Sequence, residues 1–463
     1  MALVFHYSDS QPLDVGPALI AGLPALLFGS SVAAFVLVLV AGATVAALNL
    51  PAASNHLVLT LLVALAFGAA ALWALTTRDR EGSYVERWLD AARSPIGLTL
   101  LGVYLFTVFH KLNSAFFDPS TSCSGSLLAQ LLGRNGLEVA LNAGVVQSVA
   151  IATVLIEVAV LVLLAIPRLR CWGVLAGVAF HALLALASFY DFATIVFALY
   201  VLLVPAEVFA ALAPRAKPLR RLALAGFAAH VLLSISAGLA DTAASPVGLP
   251  WHTLLVATWF IAVGPLMFPL VWAYLAVRDR VETPGWRLRP VVLLIIPLLA
   301  FVNGVTPYLG LKTVANYSMF SNLHTEEGRT NHLLPGVTAI ELTPYQRDTV
   351  DVTALYLPPA DQVRLDALHR ALGGVSHLQR QSRWIAEGPP VRIPWLELRR
   401  TVLLWQSAGI SGNRLEYVRD GQRHVVSDAI ADGVLGAPMP WWQRHLLAFR
   451  AVDSRLGTDH CRW

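Results

Sequence analysis

Charge is scarce in this chain. Only 13% of its 463 residues are Asp, Glu, Lys or Arg, against about a quarter in soluble domains. That excludes an ordinary soluble globular protein. With 56% hydrophobic residues and a mean hydropathy of +0.63, the composition implies a polytopic membrane protein carrying some soluble mass. Cysteine is nearly absent: Cys123, Cys171 and Cys461 stand at no spacing that suits a metal. A cleavable signal peptide is not expected, because the first residues lack a basic stretch and the first apolar run is long. No internal repeat or low-complexity tract occurs. The net charge is +4, but the basic residues cluster between apolar runs. That is a signature of membrane topology rather than of nucleic-acid binding.

What the chain has instead is apolar length. Runs near 20–49, 56–77, 95–110, 139–166, 172–189, 192–213, 221–240, 252–277 and 291–310 predict about nine helices of bilayer length. Pro205 is placed to break the sixth, and Pro265 and Pro269 to kink the eighth. One set of connections holds Arg78, Arg80, Arg87 and Arg93, then Arg168 and Arg170, then Arg215 to Arg221, then Arg278 to Arg289; the alternate set has almost no charge. The positive-inside rule puts the basic set in the cytoplasm. The expected fold is an all-α polytopic membrane bundle over 1–310, N-in and C-out, with a small extracytoplasmic α+β domain over 311–463. Within that domain VTAIELTP (337–344) and VRIPWLELRRTVLLW (391–405) predict strands, and ADQVRLDALHRALGG (360–374) a helix. MPWWQRHLLAFRAVD (439–453) fits a final helix or strand. This topology puts Cys123 and Cys461 both outside, where an oxidising space allows a disulfide between them; free thiols at both positions in protein isolated without reductant would exclude it.

The stretch YLFTVFHKLNSAFFDPSTSC, 104–123, carries a lysine where an apolar run ends. Two readings of Lys111 stand side by side. In one, the stem lies in lipid and the ammonium reaches the interface. In the other, the amine serves as a base in a half-dry pocket, where burial disfavours the charged form. His56 opens the second span at the same expected outer face, with Asn55 beside it as Asn113 is beside Lys111. Glu157, His181 and His230 lie within spans, where ionisable groups are costly and therefore functional candidates. Interhelical hydrogen bonding is the competing account of each histidine, and the expected role of Asn142 and Gln147. The segment 303–332 is dense in Asn, Thr, Tyr and His with Glu326 and Glu327, and is expected to roof a pocket rather than to be a solvated connector. Its His and Glu spacing suggests no metal.

These residues carry a resemblance. YLFTVFHKLNSAFFDP resembles the corresponding helix end of vitamin K-dependent gamma-glutamyl carboxylases and their bacterial relatives with the horizontally transferred transmembrane (HTTM) domain. SNHLVLTLLVALAF resembles their Asn-His segment, AFHALLALASFYDFATIVFALYVLLVP their Phe-His…Phe segment, and NYSMFSNL, more weakly, their post-membrane segment. The likeness covers roughly residues 20–330. It implies Lys111 as the base that deprotonates a reduced quinone of the vitamin K or menaquinol type, supported by His56. Asn55, His110, Asn113, His181, Phe192 and Tyr317 are implied around the substrate, and Glu157 is placed with them as an ionisable group within a span. Oxygen then adds, the product rearranges toward an epoxide, and the resulting base removes a γ-proton from glutamate, to which CO2 adds; neither metal nor flavin is implied. The implied partners are the lipid bilayer, a lipid quinol, a peptide or protein acceptor and a quinone reductase. Two departures weigh on the acceptor: the external part is short, and Asn113 stands where the animal enzymes have an acid. Two other functions remain open, a peptide- or toxin-maturation factor on the same scaffold and a non-enzymatic transport or immunity protein.

Overall fold

The computed structural model describes residues 31–452, apart from 52, 78–81, 188, 240–244, 246–248, 288–289, 357, 359–390, 408 and 411–412. The chain forms two compact units that interleave along the sequence. The first comprises Met1–Val45, Leu59–Val108 and Gly125–Phe301; the second comprises Ala46–Val58, Phe109–Ser124 and Val302–Trp463.

The helices are α1 (Val32–Leu48), α2 (Asn55–Thr76), α3 (Tyr84–Lys111), α4 (Ser114–Phe117), α5 (Cys123–Arg134), α6 (Ala143–Ala165), α7 (Arg170–Ala185), α8 (Tyr190–Leu203), α9 (Ala206–Leu212), α10 (Ala216–Leu239), α11 (Trp251–Val277) and α12 (Ile295–Val305). Among the described residues six stretches are long and apolar enough to cross a membrane: Asn55–Thr76, Tyr84–Lys111, Ala143–Ala165, Pro167–Ala185, Ala206–Ala237 and Trp251–Val277. Val32–Leu48, Tyr190–Leu203 and Val291–Val305 are shorter apolar helices. The long stretches carry bare apolar side chains, including Trp272, Leu72 and Leu232, as lipid-facing surfaces do. The protein is thus a mostly helical, multi-pass membrane protein by the length and composition of its helices.

Pro205 does end a helix. It forces Val204 into extended backbone (φ −82°, ψ 137°) and caps α9. The residues beyond Pro205 join the next span, Ala206–Ala237, so the expected run 192–213 is two elements rather than one broken span. α11 runs through Pro265 and Pro269 without interruption. Close packing in the first unit depends on glycine: a Cβ at Gly226 of α10 would lie 2.5 Å from the Ala262 amide of α11. His230 of α10 meets Leu255 O (3.0 Å) and Thr258 Oγ1 (3.1 Å) of α11, the interhelical role expected of a structural histidine. Asn142, expected to bond between helices, instead caps α6 by accepting from Val145 N at 2.9 Å.

The second unit contains an antiparallel sheet, β1 (Thr349–Tyr356), β2 (Val391–Pro394), β3 (Arg414–Arg419) and β4 (Gln422–Val426), in the order β2-β1-β3-β4. Val350, Val352, Val391, Ile393 and Leu415 line its core face. α13 (Trp395–Ser407) packs there through Trp395, Leu398, Val402 and Trp405. That spacing is helical, so the expected strand over 391–405 stops at Pro394 and a helix takes over. The expected strand at 337–344 does not form either. Gly336 and Glu341 adopt positive φ (82° and 47°), and the segment pairs irregularly with the chain after α12, Ile340 N to Tyr308 O (2.7 Å) and Leu342 N to Leu309 O (2.9 Å). Near the end, α14 (Trp441–Leu446) is short. The chain then runs extended past Thr313, whose amide donates to Ala448 O at 3.0 Å. The helix expected over 360–374 lies outside the described residues.

Candidate functional site

The residues singled out by sequence fall into two groups. Asn55, His56, His110, Lys111, Asn113 and Tyr317 belong to the second unit, and Glu157, His181 and Phe192 to the first.

In the second unit all six are buried. Lys111, the last residue of α3, is 5% exposed, and His110 is fully enclosed with Nε2 3.0 Å from Gly304 O. The chain turns at Asn113, which is the N-cap of α4: its Oδ1 accepts from Phe116 N at 2.9 Å. Its Nδ2 donates to His110 O (2.7 Å) and Ser321 O (2.5 Å). On α2, Asn55 Oδ1 accepts from Tyr317 N at 2.6 Å, and His56 Nε2 lies 3.0 Å from Ser54 Oγ. The expected roof, 303–332, is largely buried rather than solvated, with Tyr317 fully enclosed. Ala315, Tyr317, Phe320 and Asn322 adopt positive φ, which side-chain-bearing residues rarely do. Amide side chains hold this path in place. Asn322 Oδ1 accepts from Cys123 N (2.7 Å), and Asn331 Nδ2 donates to Asn322 O (2.9 Å).

A buried ion pair closes the same region. Arg450 Nε donates to Glu326 Oε1 at 2.9 Å, and Arg450 also donates to Leu323 O. Burial opposes ionisation of Glu326, but Arg450 and His324 outweigh it and hold the carboxyl well below its usual range. Lys312, outside the membrane-length helices, is lowered to about 8 by burial; its Nζ finds Ala315 O at 3.4 Å. Cys123 is fully buried and Cys171 is a buried free thiol; Cys461 lies outside the described residues.

In the first unit, His181 is centred in a cluster that sequence reading only partly found. Its Nε2 lies 2.7 Å from Tyr104 Oη, which lies 2.5 Å from Tyr200 Oη. Phe180 and Phe192 flank the imidazole edge-on, at 5.2 and 5.3 Å between ring centres. Glu157, also buried, is within electrostatic range of the Tyr104 hydroxyl. The fit requires Gly177, where a Cβ would overlap the Tyr200 hydroxyl. Tyr104 and Tyr200 carry no sequence signal of this role. Each reads as one more apolar residue of its helix, and the partners are 77 and 96 positions apart.

Comparison with protein-family models, curated proteins and solved structures finds no match to this chain.

Proposed function

We propose that the chain is a membrane enzyme of the vitamin K-dependent carboxylase type, oxygenating a reduced lipid quinone to its epoxide, with or without coupled carboxylation of glutamate in a peptide or protein acceptor. When bound, the quinol supplies, with oxygen, a base able to deprotonate carbon, and CO2 is the carboxyl donor. The chain's own task is to take the first proton and exclude water. The observation that carries the reading is Lys111: an amine at the end of an apolar helix, 5% exposed, in one unit with buried His56, Asn55, His110 and Asn113. Lys111 is the proton acceptor in this reading, and His56 assists it. Asn113 fixes the backbone that presents Lys111 by holding His110 O and Ser321 O together. An enclosed site protects a strong base from quenching by water. The nine-span, N-in and C-out topology belongs to the same proposal, supported by the alternating arginine clusters and, among the described residues, by three short apolar helices beside the six long ones.

The test uses purified full-length protein in lipid nanodiscs with a reduced short-chain menaquinone analogue, oxygen and bicarbonate. Epoxide, read by mass spectrometry, is the expected product. Lys111→Ala lowers its rate about 100-fold or more while thermal stability and helix content hold. Equal turnover by that variant would refute the base assignment.

A further inference from the structure

The second unit contains a hydroxyl that its own architecture does not serve. Tyr308 follows α12 in a tight turn, its amide donating to Val305 O at 3.0 Å and its carbonyl accepting from Ile340 N at 2.7 Å. The backbone is therefore held from both sides. The side chain is 5% exposed, and its ring lies against Phe109 (5.6 Å between centres), His110 (5.7 Å) and His332 (6.1 Å). Its Oη is closed off from solvent and has no hydrogen-bond partner among the described residues.

Phenylalanine would fill the same space without this cost. Burying an unmatched hydroxyl opposes folding, so a buried orphan calls for a reason outside the fold. The surrounding polar side chains sharpen the contrast. His110 and His332 each meet a backbone carbonyl, at 3.0 and 2.9 Å, and Asn113 is bonded at both ends. Tyr308 alone in this aromatic group offers a hydroxyl, which donates to or accepts from a ligand oxygen. Arg450, paired with Glu326, lies within electrostatic range of the hydroxyl. His110, whose ring Tyr308 packs on, is the residue before Lys111.

We infer that Tyr308 is a substrate-binding residue whose hydroxyl hydrogen-bonds a ring oxygen of the quinol. This rests on the reading of Lys111 as the quinol's base, and it adds a second polar contact that holds the ring for that base. Tyr308 is not among the residues that the family resemblance implied.

The experiment compares wild type and Tyr308→Phe, full-length in nanodiscs. Equilibrium binding of a short-chain menaquinone analogue, kept reduced by excluding oxygen, is followed by tryptophan fluorescence, and thermal unfolding is recorded without ligand. The expected result is about tenfold weaker binding by the variant, the loss of one hydrogen bond, with an unfolding midpoint equal to or above wild type because the orphan is gone. Equal affinity overturns the inference. Weaker affinity with a lowered midpoint also overturns it, since the hydroxyl would then be bonded within the protein. No binding by wild type overturns both this inference and the quinol reading. Tenfold weaker binding by Tyr308→Phe, alongside full turnover by Lys111→Ala, would keep the quinone contact and sink only the base.

Discussion

The two units bury polar side chains in different ways. In the first, Tyr200, Tyr104 and His181 bond side chain to side chain across three helices. In the second, Asn55, Asn113, Asn322 and Asn331 bond mainly to backbone. The cause lies in the backbone itself. A helix satisfies its own N–H and C=O groups, so a polar side chain within a helical bundle has little but other side chains to bond. The irregular path from Leu311 to Leu334 satisfies few of its own, and each buried group needs a partner brought from elsewhere. Amide side chains, with donor and acceptor on one plane, fill that need. The lesson concerns function: in either unit most buried polar groups are explained by architecture, and the informative ones are those left over, as Tyr308 Oη is.

This contrast can be broken by substitution. The largest effect is expected at Asn113, where replacement by Leu removes two donated bonds and a helix cap together. The second unit should lose about 3 kcal/mol or more, read as a lower unfolding midpoint and faster proteolysis in 311–334. Tyr104→Phe in the first unit should cost less, about 1–2 kcal/mol, because its bonds join side chains that can seek other partners within helices. If Tyr104→Phe proved the more damaging, the contrast would fail. Gly177→Ala should act on the same cluster by steric overlap, costing about 1–3 kcal/mol, and Tyr200→Phe in the same chain should relieve part of it.

The smallest effect is electrostatic. Glu326 is held below its usual range in the fold, with burial opposing and Arg450 prevailing. Its folded pKa is thus below the unfolded one. The stabilisation is complete above about pH 4.5 and is lost as pH falls from there. The unfolding midpoint should therefore drop between about pH 5 and pH 3. Glu326→Gln should start lower and show a shallower drop; an unchanged slope would mean that another carboxylate dominates.

Much of the first unit was legible because its signal is local. Twenty apolar residues predict a membrane-length helix wherever they occur, and Pro205 ended α8 through the steric rule for the residue before proline. The burial of 303–332 was readable from aromatics too numerous for a solvated loop. The errors came where local pattern is ambiguous. VRIPWLELRRTVLLW suits a strand by composition, and only the packing of Leu398, Val402 and Trp405 on one helical face shows the helix. VTAIELTP alternates like a strand, yet positive φ at Glu341 breaks it. Of the residues expected around one substrate, His181 and Glu157 belong to the first unit and Lys111 and His56 to the second.

By itself the sequence determined the multi-pass membrane character, most helix positions, and the placing of Lys111 at a helix end, because hydropathy and helix termination act over a few turns of chain. The tertiary structure alone decided which distant side chains meet: Tyr104 with His181, Asn55 with Tyr317, Arg450 with Glu326. It also left the Tyr308 hydroxyl without a partner among the described residues. Such pairings depend on how elements pack, and a hydrogen bond between residues a hundred positions apart leaves no periodic trace in either one's neighbours.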